Sequence, residues 1–168
     1  MNITFEIANL IDLPIIVDIY NQAVNTRRST ADLRPLTVSQ KQPWFLNHNV
    51  SKNRPLWVIK NLNQQIIGWM SLSDFYGRPA YLHTTEVSLY LDQAYQRQGL
   101  GKQALSFLET QVERYQIETV LAFIFGHNLA SQHLFVDFGY QKWAHLPKVA
   151  VLDGIQRDLN IFGKKYRV

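Results

Sequence analysis

Residues 3–8 alternate apolar and polar side chains, the period of a half-buried strand. The pattern then changes: Ile15, Ile16, Ile19, Tyr20, Ala23 and Val24 recur at helical spacing and predict a helix with one apolar face. Asp12 is placed to cap that helix, and Pro14 falls in its first turn, where a missing N–H leaves no bond unmade. Residues 26–35 are polar, show no period, and predict a turn-rich loop lying over another part of the molecule. Thr37 and Gln40 have the spacing of a capping box and open a second helix through Trp44, Phe45 and His48.

Leu56–Lys60 and residues 66–73 predict a hairpin around the polar turn 61–65. Residues 75–79 break the pattern, and 81–91 then form a long strand rich in β-branched and aromatic residues. Residues 98–102 open a helix whose inner face is Leu100, Ala104, Leu108, Val112 and Tyr115. Residues 117–125 are almost wholly apolar, which predicts a strand buried on both faces, as in a parallel pair. Asn128 caps a short helix ending near Phe138, with Gly139 placed to terminate it. Residues 140–144 and 156–162 complete the strands, so the fold class is α/β around a mixed sheet.

At 168 residues, with no repeat, low-complexity tract or Pro/Gly/Ser-rich linker, the chain reads as a single domain over 1–168. Apolar residues at 46% supply a core, and charged residues at 18% argue against disorder. The absence of cysteine removes disulfides, thiolate metal sites, Fe–S clusters and a Cys nucleophile. The five histidines show no ligand spacing, so no metal is expected. A net charge of +4 suits a phosphate-bearing ligand. Without a basic run interleaved with aromatics, it does not point to nucleic acid. No signal peptide opens the chain and no apolar run approaches the ~18 residues of a membrane span. A cytoplasmic protein with no membrane partner is the expectation.

Chemistry concentrates in residues 89–102, where a strand runs into a Gly-containing turn and the turn opens a helix. Free N–H groups and the helix dipole there attract an anion, Gly99 and Gly101 permit close backbone approach, and Arg97 and Lys102 add charge. A Walker A loop is excluded by Gln96 and Gln103, and a dinucleotide fingerprint would need a Gly where Ala104 stands. On this segment alone, an ordinary Gly turn before an amphipathic helix is the equal alternative.

Gln96-Arg97-Gln98-Gly99-Leu100-Gly101 resembles the Q/R-x-x-G-x-G/A pyrophosphate loop of the GNAT superfamily of acetyl-CoA-dependent N-acetyltransferases. Asn128-Leu129-Ala130-Ser131 followed by Phe138-Gly139-Tyr140 is similar to that family's N-x-A-S…G-F/Y segment. Thr85-Glu86-Val87-Ser88-Leu89-Tyr90-Leu91 resembles a strand of its phosphinothricin acetyltransferase branch. Residues 20–24, Trp44-Phe45 and Arg78-Pro79-Ala80-Tyr81 match that branch as well.

The resemblance implies a GNAT fold: a mixed, mostly antiparallel sheet splayed at the cofactor site, with helices on both faces. It implies acetyl-CoA as cosubstrate, held by backbone groups of Leu89, Tyr90 and Leu91. Arg97, Gln98, Gly99, Leu100, Gly101 and Lys102 would take the pyrophosphate, and Asn128 and Ser131 the pantetheine. Direct transfer needs no protein nucleophile. The implied general base is Glu86, since an amine attacks only when neutral; from residues alone, a Glu on a solvated strand face stands beside that role. The acceptor, a small amine such as an amino acid or analogue, would meet Tyr20, Arg78 and Thr85. Other readings are a protein N-terminal or lysine acetyltransferase, and a catalytically idle acyl-CoA-binding module. The branch also implies a homodimer. Two features depart from it: Phe135 stands where many GNAT enzymes carry an acidic Tyr, and the stretch after Lys142 lacks the usual Gly-rich run.

Overall fold

The computed structural model describes residues 1–166; the last two residues of the expected 1–168 domain lie outside the described residues. Among the described residues, seven strands form one sheet. Their spatial order is β1 (Thr4–Ile7), β2 (Leu56–Lys60), β3 (Ile66–Asp74), β4 (Thr84–Leu91), β5 (Thr119–Phe125), β7 (Ile155–Lys165) and β6 (Gln141–Leu152). Every neighbouring pair is antiparallel except β4 with β5. Four helices, α1 (Leu13–Val24), α2 (Val38–Asn47), α3 (Leu100–Gln111) and α4 (Leu129–Asp137), cover the two faces.

One face buries Ile16, Ile19, Tyr20 and Val24 of α1 against Val58 and Trp69, with Trp44 and Phe45 of α2 packed at the edge. The other buries Leu100, Ala104 and Leu108 of α3 and Phe135 of α4 against Ile59, Val87 and Val120. The expected inner face of α3 is buried throughout, including Val112 and Tyr115 just past its end. The α1 face is rotated from the expected one: Ile15 is exposed, and Leu13 and Val17 are buried instead. Asp12 occupies the N-cap position, yet its carboxylate makes no cap bond to α1 and accepts the Asn9 N–H at 2.8 Å. The Thr37–Gln40 box closes as expected: Thr37 Oγ1 accepts from the Gln40 N–H at 3.1 Å, and Gln40 Oε1 from the Thr37 N–H at 2.9 Å.

Two boundaries differ from the sequence pattern. β4 starts at Thr84, because Pro79–Tyr81 coils into a 3₁₀ turn that ends the extended run. The last two strands are far longer than expected and meet in a two-residue turn, Asp153-Gly154, both with left-handed φ. Pro147 hides this length in the sequence. The structure absorbs it in a bulge between Leu146 and Ala150, where Lys148 has φ +53° and its N–H donates to Asp158 Oδ1 at 2.8 Å.

Candidate active site

The parallel contact between β4 and β5 is short, running only through Thr84–Thr119, Thr85–Val120 and Glu86–Leu121. Beyond Glu86 the strands part, while Val87–Leu91 stays paired with β3 on the far side. Alternate residues of that stretch therefore turn N–H and C=O toward a gap. The gap is a cleft of about 450 Å³ floored by residues 86–90 of β4 and 122–125 of β5. Asn128, the N-cap of α4, and Ser131, Leu134 and Phe135 of α4 close one side, and residues 28–31 close the other. A parallel pair that opens beside a loop and a helix N-terminus is suited to an extended, polar-backboned ligand that ends in an anion.

Glu86 is half-buried at the fork, and its carboxylate makes no hydrogen bond or ion pair among the described residues. Burial pushes its carboxyl above the usual carboxylate range. Ser88 and Tyr90 share its strand face, and the Tyr90 hydroxyl donates to the Ser29 carbonyl at 3.0 Å. Opposite Glu86 on β3 stands Ser73, whose Oγ lies 3.1 Å from His48 Nε2.

The loop 26–35 lies over this cleft because several groups fasten it. Arg27 Nε reaches Asp153 Oδ2 at 2.7 Å, and its Nη1 donates to the Val24 and Leu33 carbonyls. The Arg27 carbonyl sits 2.7 Å from His127 Nε2, and Asn128 Nδ2 donates to the Arg28 carbonyl at 3.3 Å. The Tyr20 hydroxyl joins Thr30 Oγ1 at 2.6 Å and the Asp32 carboxylate.

The anion end is built by the turn into α3. Arg97 and Gly99 both have left-handed φ, +60° and +77°, and the first bond of the helix runs from the Gln103 N–H to the Gly99 carbonyl at 3.2 Å. The amides up to Lys102 thus lie ahead of the helical ladder. Nothing lies within 4 Å of where a Gly99 Cβ would stand, so its surface is open to a ligand. Gly101 has a packing reason besides: a Cβ there would come within 2.9 Å of Leu134, a residue of the cleft wall.

Of the expected site residues, the structure brings Glu86, Leu89, Tyr90, Asn128 and Ser131 to the cleft, and sets residues 97–102 beside it through the Gly101–Leu134 contact. Lys102 Nζ is 3.8 Å from Asp137 Oδ2, and both side chains remain exposed. Asn128 also caps α4, its Oδ1 accepting the Ser131 N–H at 3.3 Å. Leu91 is part-buried beyond the cleft lining.

Three residues expected at the acceptor do not line this cleft. Thr85 is fully enclosed in the paired stretch, its Oγ1 without a partner, and does not line the cleft. The Tyr20 hydroxyl is committed to the loop, and burial pushes its pKa up, further from neutrality. Arg78 is exposed on the 75–79 loop, outside the cleft lining. Phe135 is buried against Tyr140 and lines the cleft with no hydroxyl to offer. The sequence reading missed Phe123, Phe125 and Leu159 as lining residues. Their apolar character marked them only as core.

The sequence profile of the Acetyltransferase (GNAT) family matches residues 17–140. The chain belongs to this family. It is an N-acetyltransferase, and Glu86, the fork and the α3 turn all fall within the matched region. YwnH of Bacillus subtilis (strain 168), which carries a provisional name as a phosphinothricin acetyltransferase, is 38% identical over 162 residues, 96% of this chain and 98% of that one. An L-methionine sulfoximine/L-methionine sulfone acetyltransferase of Pseudomonas paraeruginosa is 26% identical over 159 residues, 95% of this chain and 92% of that one. The structure of yncA from Salmonella typhimurium with its cofactor acetyl-CoA superposes with a TM-score of 0.91 at 27% identity. That superposition covers 100% of this acetyltransferase and 96% of yncA. Among the described residues no group of three or more His, Cys, Asp or Glu is placed to hold a metal ion, and no helix is long and apolar enough to cross a membrane.

Proposed function

We propose that this acetyltransferase moves the acetyl group of acetyl-CoA directly onto the amine of a small amino acid or analogue, of the phosphinothricin or methionine sulfone kind. The observation that carries the reading is an unpaired, part-buried carboxylate at the point where two parallel strands separate. The free edge of β4 offers backbone groups to the pantetheine arm, and the amides at residues 97–102 offer donors to the pyrophosphate. Glu86, holding its proton affinity high through burial, accepts the proton of the attacking amine, directly or through one water. Phe135 supplies no acid, so the departing thiolate takes its proton from solvent in the cleft.

The fastened loop over the cleft favours a small acceptor above a protein terminus or lysine side chain. We further assign a homodimer, acting in the cytoplasm where acetyl-CoA is available. The test is release of free thiol from acetyl-CoA against a panel of amino acids and their oxidised-sulfur and phosphinate analogues. Turnover with one of these supports the reading. Tight acetyl-CoA binding without turnover on any amine would leave an acyl-CoA-binding module.

A further inference from the structure

Lys41 of α2 holds its ammonium against two aromatic rings. Its Nζ lies 4.2 Å from the ring centroids of both Tyr20 and Trp44. Among the described residues this ammonium makes no hydrogen bond or ion pair. Asp32 is the acidic group facing it, and the Tyr20 hydroxyl donates to that carboxylate. His48 feels the lysine charge from the other side and is held toward its neutral form, chiefly by burial. Burial also draws Lys41 below the ordinary lysine range. Two rings attract an ammonium but give its N–H groups no acceptor, so the hydrogen-bonding capacity of this cation is left for something else.

Its place in the fold names what that is. The Tyr20 ring packs on Tyr90 at 5.2 Å, and Tyr90 shares a strand face with Glu86. The Trp44 ring lies 4.7 Å from His48, which binds Ser73, the residue opposite Glu86. Lys41 is thus bracketed between two groups that reach the Glu86 face from its two ends. In the same row of β3, the fully buried Ser71 hydroxyl has no partner either. Lys41 does not itself line the cleft and reaches the Glu86 face only through Tyr20 and Trp44; an anionic base with a cation beyond it mirrors the charges of an amino acid, which presents an amine and an oxyanion.

We propose that Lys41 is a specificity residue for the acceptor, its ammonium framed by Tyr20 and Trp44 receiving an oxyanion of the amine substrate. The oxyanion is either the carboxylate or an oxidised group at the side-chain end. The proposal rests on the reading of the cleft as an N-acetyltransferase site.

The experiment compares the parent with Lys41→Met, which keeps the apolar stem, and Lys41→Arg, using acetyl-CoA with methionine sulfone, its α-amide, and methionine. Lys41→Met is expected to raise KM for methionine sulfone about 10–100-fold, the range for a lost hydrogen bond to a charged group. KM for acetyl-CoA stays unchanged, and Lys41→Arg recovers part of the loss. If the carboxylate is read, parent and Lys41→Met share one KM for the α-amide. If the side-chain end is read, the α-amide keeps the rise and methionine loses it. An unchanged KM for methionine sulfone, or an equal rise for all three acceptors, overturns the role of Lys41. Absence of turnover by the parent on every amine overturns the transferase reading, and this assignment with it. A thermal melt of Lys41→Met near that of the parent separates lost recognition from lost folding, and Lys41→Gln serves if the Met variant does not fold.

Discussion

Glu86 stands opposite Leu121 at the last pair formed between β4 and β5, so the strand carrying the carboxylate loses its neighbour one residue later. Each strand is held from its other side. β4 pairs with β3 along Gly68–Asp74, and β5 pairs with β7 along all seven of its residues. The fork therefore stays open without a ligand to wedge it, and the edge of β4 is available at the position of the base.

Glu86→Gln keeps the shape and removes the proton acceptor. We expect kcat to fall about 10²–10⁴-fold, with acetyl-CoA binding intact. The deficit should shrink at high pH, where the free amine is abundant. A pH series of initial rates beside a calorimetric titration with acetyl-CoA checks both halves, and equal parent and variant rates near neutrality would remove Glu86 from the mechanism.

Burial raises the Glu86 carboxyl above its ordinary value, and the sign of the stability effect follows. Between the ordinary and the raised value the folded state binds more protons than the unfolded state, so stability falls as pH rises through that window. Above it the folded protein carries a disfavoured charge. Glu86→Gln is therefore expected to melt higher than the parent at neutral pH, with the gap closing as pH drops below the ordinary carboxylate range. Melting curves across pH 3–8 measure this, at about 2–4 °C per kcal/mol for a chain of this size. A variant that melts lower than the parent at neutral pH would contradict it.

Much of this geometry is legible in the sequence where a local rule and the fold agree. The Thr37–Gln40 box, the inner face of α3 and the Gly turn at 97–102 each follow from side-chain chemistry at fixed spacing. Where tertiary partners decide, the sequence misleads. Tyr20 offers a polar tip that looks like a binding group, yet Thr30 and Asp32 consume it from a loop with no periodic signal. Thr85 lies one residue from Glu86, and strand alternation sends it into the core. Pro147 interrupts the pattern of β6, so the Asp153-Gly154 turn, itself a strong hairpin signal, goes unread. Lys41 resembles a solvent-facing lysine until the two rings beside it are assembled from α1 and α2.

Acetyl-CoA should raise the melting temperature, since a ligand bound only by the folded state stabilises it by mass action. Gly99→Val is the informative variant. The site above Gly99 is open, so the new side chain fills the space in front of the α3 amides, where the proposed reading puts the pyrophosphate. At φ +77° the substitution also strains the backbone, by about 1–2 kcal/mol. The expected result is a somewhat lower melting point for the variant alone and no shift with acetyl-CoA. Gly101→Val is less clean, because Leu134 must move to admit it. A full ligand shift in Gly99→Val would place the cofactor elsewhere.

Phe75 is anchored beside the cleft, its ring 6.3 Å from Phe123 and 5.5 Å from Tyr81. The loop it starts then turns outward: Tyr76 is 66% exposed, and Arg78 makes no ion pair among the described residues. Exposed Tyr and Arg are among the residue types that interfaces use, and Trp143, Val149 and Val151 expose apolar surface on β6. We therefore expect a dimer of about twice 19.6 kDa by light scattering at assay concentration. Arg78→Ala is expected to raise the acceptor KM several-fold and to leave the acetyl-CoA KM unchanged, because Phe75 at the start of its loop packs on Phe123 of the cleft lining. A mass of 19.6 kDa would remove the dimer, and an unchanged acceptor KM would remove Arg78 from recognition, leaving that task to groups inside the cleft wall.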